Sequence, residues 1–334
     1  MASSVSITAS SLSPPRHTVI IGGGIVGAST LYYAAKNPIR GKSSPPSRLT
    51  LIEASSELAP GASGKSGGFL ALDWHGTATS SLAELSYRLH REIAKEGNGG
   101  ERWGYRAVEV RAGTGLNVAP SLSWLAADRS LTTDFAIAAG PWTGSLLNSL
   151  LPGDSSNKVL AQMIRKGKTI DGSRAHSIVV RGTRPTTEHC LFTDMKYVPK
   201  NSAEKHVRAG APEVYARGDG TVYVCGGSDD VALPKTADEV TYDKAQTAKL
   251  VEQIRVISPE ILGESATIEK EQACYLPGGS FNGPLIDGSS EHGLYIAAGH
   301  TCWGITLGPG TGLVMAEMIF EGKALSADVD MLKA

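Results

Sequence analysis

Residues 17–36 constrain this chain more than any other stretch. The β-branched run His17-Thr18-Val19-Ile20-Ile21 reads as a short, fully buried parallel strand. Gly22-Gly23-Gly24-Ile25-Val26-Gly27 follows, and Ala28–Lys36 reads as a helix stopped by Asn37-Pro38. A second strand over 49–53 ends in Glu53. Strand, G-x-G-x-x-G turn, helix and acid-tipped strand together predict a dinucleotide-binding unit. Gly22 permits the tight turn, Gly24 lets a pyrophosphate approach the backbone, and Gly27 lets helix and strand pack closely. Ile25 and Val26 belong to the turn that leads into the helix, whose N-terminus offers unpaired N–H groups to phosphate. Glu53, followed by Ala54, is placed to accept ribose hydroxyls. The spacing is long, and the Pro/Ser/basic loop at 38–48 accounts for it.

Composition narrows the partners. The 334 residues suggest about two domains. With 41% hydrophobic and 19% charged residues, the chain is neither disordered nor a coiled coil. Lys plus Arg is 32 and Asp plus Glu 33, so no global field holds nucleic acid or an anionic membrane. Glycine is in excess, 39 residues without a Gly-X-Y period, which points to tight turns and close backbone approach to a bound molecule. Cys190, Cys225, Cys274 and Cys302 form no CxxC pair, so no zinc or dithiol site and no metal are expected. They read as reduced thiols of an intracellular, cytoplasmic protein. The Ser-rich residues 1–16 lack the Arg-rich amphipathic pattern of a mitochondrial leader. The uncharged run Thr18–Ala35 has glycines at its middle, so strand–turn–helix explains it better than a membrane span.

Further along, Pro60–Gly68 is glycine-rich and irregular, Ser80–Lys95 is an amphipathic helix, and 97–130 has no long periodic element. A strand over 134–139 ends at Gly140-Pro141. The middle third holds short alternating strands at Ser177–Arg181, Cys190–Thr193, Glu213–Arg217 and Thr221–Cys225, the last two flanking the Gly218-Asp219-Gly220 turn. A helix over Tyr242–Ile257, a strand over Gly293–Ala298 and a closing helix over Gly308–Phe320 complete the chain. The expected class is α/β: a Rossmann-like domain with a parallel sheet, and an α+β substrate domain with an antiparallel sheet. Residues 17–80, 131–152 and 285–325 fall to the first, 81–130 and 153–284 to the second.

Two later blocks bear on which nucleotide binds. Pro60–Gly68 follows the acid closely, and Gly299-His300-Thr301-Cys302-Trp303-Gly304-Ile305 leads through Gly308–Gly312 into the last helix. The second can present N–H groups to a flavin ring, or its glycines can serve packing alone. With VIIGGGIVGAS at the start, GASGKSGGFLALDW, AAGPWTG and AAGHTCWGITLGPGTG, the chain resembles the FAD-dependent D-amino-acid oxidase/glycine oxidase/sarcosine oxidase superfamily. LPGGSFNGPLI and EGKALSAD look most like its fungal Tda3-type oxidoreductases. The resemblance implies FAD, bordered by Gly140 and Trp142, lined by Ser63, Gly64, Lys65, Ser66 and Gly67, and closed on its ring side by Gly299, His300, Trp303, Gly304 and Ile305.

It also implies oxidation of a C–N bond in an amine or amino-acid derivative, with hydride passing to flavin N5 and oxygen as acceptor. His300 and Tyr275 are the candidate catalytic side chains, and His75 the candidate substrate contact. Where amino-acid oxidases of this family place a carboxylate-binding Arg before a Pro, Leu276 stands before Pro277, and Leu makes no bidentate contact. Arg174, Lys168 and Lys65 are alternative cations. Cys274 matches the cysteine that monomeric sarcosine oxidases link to flavin, so a covalent link is one option. Residues 106–133 lack the histidine-proline turn, helix and strand pair usual in the family, so the chain reads as internally shortened. A shortened, weak or inactive FAD-fold protein and an NAD(P)-dependent dehydrogenase are the competing readings.

Overall fold

The opening motif folds as its pattern requires. The protein is described by a computed structural model covering residues 16–39, 47–111, 133–153, 155–198 and 207–334. Strand β1 (His17–Ile21) leads into α1 (Ile25–Lys36) and then β2 (Arg48–Ile52). The chain continues through α2 (Thr77–Glu96), α3 (Gly99–Trp103), β3 (Glu109–Arg111), β4 (Thr133–Ile137), α4 (Thr143–Leu150) and α5 (Lys158–Lys168). Next come β5 (Asp171–Arg181), β6 (His189–Phe192), β7 (Met195–Tyr197), β8 (Arg208–Gly210), β9 (Glu213–Ala216) and β10 (Thr221–Asp229). Helix α6 (Lys244–Ile257), β11 (Thr267–Gly278), β12 (Leu285–Ser289), β13 (Leu294–Ala298) and α7 (Gly304–Glu321) close the fold.

Two main sheets result. The first runs β12-β13-β4-β1-β2, parallel except for the edge strand β12. Its central strands carry Ile20, Ala136 and Ile296 fully out of solvent, as parallel strands covered on both faces must be. The second runs β11-β5-β10-β9-β6-β3, antiparallel except for the β3–β6 pair, and β7 and β8 form a separate ribbon. The Gly218-Asp219-Gly220 turn joins β9 to β10, as its composition indicated. On one face of this sheet Ile178, Val180, Val214, Val222 and Val224 pack on Leu250 and Ile254 of α6. The mixed α/β class expected from the sequence is the observed one.

The structure changes two details. Helix α2 buries Leu82, Ala83, Leu85 and Leu89 against Ile20, Val314 and Met315, so residues 81–96 belong with the first sheet rather than the second. Each such leucine contributes on the order of 1.5–3 kcal/mol. The last helix begins at Gly304, not Gly308, and the Gly308–Gly312 run is buried helix instead of loop. A Cβ on Gly308 would stand 2.7 Å from Ile25 Cγ1, one on Gly310 would stand 3.0 Å from the Leu82 carbonyl oxygen, and one on Gly312 would overlap Ser29. These glycines bring α7 onto α1 and α2, which is the packing role left open above. The missing-segment expectation at 106–133 lies mostly outside the described residues.

Candidate functional site

Three chain segments converge at the C-terminal edge of the parallel sheet. Gly22 has φ +110, and a Cβ there would overlap the Ala138 carbonyl oxygen. A Cβ on Gly27 would overlap the Gly22 carbonyl oxygen. Gly24 has only the Ser63 hydroxyl near its missing Cβ, at 3.2 Å. The first and third glycines are therefore demanded by packing, and the second opens a concave surface. The N-cap of helix α1, Gly24, has no side chain to accept from the first turn, and that turn holds no acid. Its Ile25 N–H donates to Ser63 Oγ at 2.9 Å, which brings Pro60–Gly68 over the helix N-terminus.

Glu53 is fixed at the tip of β2. Its Oε2 accepts from the Gly23 N–H at 2.7 Å and its Oε1 from the Ser55 N–H at 3.0 Å. A carboxylate has about four lone-pair sites, so acceptor capacity remains. A cavity of about 460 Å³ runs from here along the helix N-terminus. Gly22, Gly24, Ile25, Val26, Glu53 and Ala54 line it, together with Ser63, Ser66, Gly140, Trp142, His300, Gly304 and Ile305.

Eight expected residues are not among those that line the cavity. Gly27 and Gly64 are packing positions, a Cβ on Gly64 overlapping the Ala59 carbonyl oxygen. A Cβ on Gly67 would overlap the Tyr215 ring. Gly299 turns the chain at φ +86 ahead of His300. Trp303 packs with the α7 core and on His75, ring centroids 4.7 Å apart, while His75 Nε2 lies 3.2 Å from the Ala71 carbonyl oxygen. The Tyr275 hydroxyl donates to the Ala232 carbonyl at 3.0 Å. Lys65 has its ammonium lowered by burial, with Cys274 and Asp238 nearby. Cys274 is buried, and burial pushes its thiol up to about 11.

His300 is buried and faces Thr311, with Nε2 3.0 Å from Oγ1. Because the Thr311 hydroxyl donates to the Leu307 carbonyl at 2.8 Å, it accepts from His300, which fixes the proton on Nε2. Burial lowers this imidazole to about 4, so it is neutral near pH 7. Thr301 beside it holds φ +51, a strained value for a β-branched residue, and Cys302 follows with an exposed thiol on the cavity wall.

Sequence reasoning missed other wall residues. Lys235, Thr236 and Ala237 come from the connection after β10, and Trp142 Nε1 donates to the Pro234 carbonyl at 2.9 Å to hold it. No local pattern marks this segment. Leu276 and Pro277 do line the cavity. Arg174 is committed elsewhere: Nε and Nη2 grip Asp229 at 2.8 and 2.6 Å, and Nη1 donates to the Thr241 carbonyl at 3.0 Å. Lys168 is half-buried at the end of α5. The two halves are tied by Arg217 Nη2 to the Ser66 carbonyl, 2.8 Å, and Gln272 Nε2 to the Lys65 carbonyl, 3.2 Å.

The family profile described as FAD dependent oxidoreductase matches residues 17–117 and 113–318. The chain belongs to that family. A Schizosaccharomyces pombe relative, named "Putative oxidoreductase C1F5.03c", is 30% identical over 406 aligned positions, covering 96% of this chain and 98% of the relative. That alignment is longer than the 334-residue chain, so part of the relative runs opposite gaps here. Saccharomyces cerevisiae "Putative oxidoreductase TDA3" is 32% identical over 201 positions, 59% of this chain and 33% of that one. Among solved structures, Geobacillus kaustophilus glycine oxidase superposes with a TM-score of 0.65 at 16% identity, over 96% of this chain and 98% of that one. This family membership implies FAD, and the cavity fits it. Gly24 leaves backbone open at the N-terminus of α1, where the N-cap residue supplies no side-chain acceptor, as a pyrophosphate needs. Ser55 Oγ is buried in the wall with no partner, beside the spare lone pairs of Glu53. Among the described residues no group of His, Cys, Asp and Glu could hold a metal, and no helix is long and apolar enough to cross a membrane.

Proposed function

We propose that this FAD-family oxidoreductase oxidises the C–N bond of a small amine or amino-acid derivative. The observation that carries the reading is the single cavity joining Glu53, the α1 N-terminus, Ser63–Ser66 and the His300–Ile305 turn. When bound, FAD supplies the hydride acceptor, N5 of its ring, and a route for the electrons to oxygen.

The chain's own residues then have distinct tasks. Glu53 and Ser55 receive the adenosine ribose, and the Gly24 and Val26 N–H groups the phosphates. Ser63, Ser66, Gly140 and Trp142 hold the middle of the cofactor, and Gly304 and Ile305 its ring side. Lys65, Gly64, Gly67, Gly299 and Trp303 shape this wall from behind. His300, neutral and donating to Thr311, positions the Thr301-Cys302 turn and carries no proton to substrate. Tyr275 anchors the connection after β10, which in turn places Lys235–Ala237. His75 backs Trp303. Cys274, buried and with a raised thiol, favours a non-covalently held flavin.

We assign the nucleotide to residues 17–96, 131–152 and 285–325, and the substrate to the antiparallel sheet, with the earlier 81–130 boundary moved past α2. The four free thiols agree with a cytoplasmic protein. The family match disfavours the NAD(P) reading, whereas the gapped alignment favours keeping the inactive-protein alternative in the test.

The absorption spectrum of the purified protein tests the reading. Flavin bands that bleach anaerobically with members of an amine panel, and peroxide released in air, are the expected result. A colourless protein that takes up no added FAD sinks it and leaves the inactive fold.

A further inference from the structure

The antiparallel sheet turns one face to α6 and the other to the nucleotide-binding half. Register places Gln272, Ser177, Cys225, Glu213 and Phe192 directly opposite one another across β11, β5, β10, β9 and β6. Directly opposed residues share a face. The row is on the inner face, since Gln272 reaches the Lys65 carbonyl and the neighbouring Tyr215 meets Gly67.

Glu213 is half-buried in the middle of that row. Its Oε2 accepts from the Tyr215 hydroxyl and, at 3.6 Å, from the Cys225 thiol. Oε1 has no described donor, and no described Lys, Arg or His pairs with this carboxylate. That oxygen is open to a cationic donor. Phe192 of this row meets Trp74, and Trp74 meets Trp303, which lies in sequence between the cavity-lining Cys302 and Gly304. The face that carries the acid therefore adjoins the cavity wall.

The surroundings are aromatic. Phe192 meets Trp74 at 4.7 Å and Tyr215 at 5.6 Å between centroids, and Trp74 meets Trp303 at 6.2 Å. The cations close to this face are engaged or opposed. Arg217 donates to Ser66 and lies 5.0 Å over Tyr223, and Lys65 faces Cys274 and Asp238. Leu276 offers the cavity only apolar surface.

We propose that Glu213 selects the substrate, a protonated alkyl- or arylalkyl-amine without a carboxylate, its ammonium on Oε1 and its apolar part against Phe192, Trp74 and Trp303. This rests on the C–N oxidation reading above. A charge-assisted hydrogen bond to Oε1 and the electron-rich ring faces both favour a cation. An amino acid would instead bring a second carboxylate toward Glu213, which like-charge repulsion disfavours.

Trp74 and Trp303 supply a readout that needs no turnover. Benzylammonium should quench the intrinsic fluorescence of the full-length protein saturably, and benzoate should not. Glu213→Gln should weaken benzylammonium at least tenfold, and Glu213→Asp should keep most of the affinity. Benzoate binding as tightly as benzylammonium, or Glu213→Gln leaving affinity unchanged, overturns the proposal. If Glu213→Gln fails to fold, the comparison of the two ligands on the unaltered protein decides alone. FAD uptake is read in the same samples by absorbance. Failure of uptake with selective cation binding overturns the oxidase reading but not the cation site.

Discussion

His90 Nε2 stands 2.9 Å from the carbonyl oxygen of Ile305, the acceptor that Pro309 leaves without its helical partner four residues on. Proline has no N–H, so an α-helix that passes through it loses one hydrogen bond. Here a side chain of α2 donates in its place, which requires the proton on Nε2. Burial also lowers the His90 imidazolium, in keeping with that neutral form. His90→Ala should cost about 1–3 kcal/mol by leaving a half-buried carbonyl unpaired. His90→Gln, which can still donate, should recover most of it. Urea midpoints of the three proteins measure this. Because Gly304 and Ile305 line the cavity, flavin should also dissociate faster from the Ala variant.

The same helix marks how far the sequence could be read. The strand–turn–helix at 17–36 was legible because its signals are local: a β-branched run, a glycine spacing and an Asn-Pro stop. The 218–220 hairpin was legible for the same reason. Gly308-Pro309-Gly310-Thr311-Gly312 has the local composition of a loop, and only packing partners far along the chain make it helix. Glu213 was likewise invisible as a site candidate, since its place beside Cys225 depends on strand register between separate segments. Arg174 reads as a candidate cation from the sequence because nothing local marks Asp229, 55 positions on, as its partner.

Gly312 turns this into a prediction. In an ordinary helix interior, Gly→Ala stabilises by roughly 1 kcal/mol. At Gly312 the added methyl would meet the backbone and Cβ of Ser29, where α7 crosses α1. Gly312→Ala should therefore destabilise, by about 1–3 kcal/mol for overpacking. A lower melting temperature and weaker FAD retention are expected, because α1 carries the phosphate-facing turn. A raised melting temperature would show that the crossing is looser than described.

Asp171 should leave a mark on the pH dependence of stability. Burial pushes its carboxyl up to about 6, with only the Gly172 N–H opposing, and its Oδ1 has no partner. An acid whose native value lies above its ordinary value of about 3.9 binds more protons when folded. Its contribution is most favourable below about pH 4 and is lost as pH rises through 6. Asp171→Asn should thus match the parent protein near pH 4 and exceed it in melting temperature near pH 8. An equal gap at both pH values would contradict the assignment.

His300 predicts the opposite slope. Its native value of about 4 lies below the ordinary 6.5, so the unfolded chain binds more protons between those limits. Stability is intact above pH 6.5 and falls as pH drops toward 4, by about 3 kcal/mol at the lower end. His300→Gln can still donate to Thr311 but does not titrate. The parent protein should lose more stability than the Gln variant between pH 7.5 and 4.5, read from urea midpoints with a common slope. Parallel losses would mean that His300 is solvated in the native state. That would also return it to consideration as a proton carrier, since a group near its ordinary value can exchange protons near neutral pH.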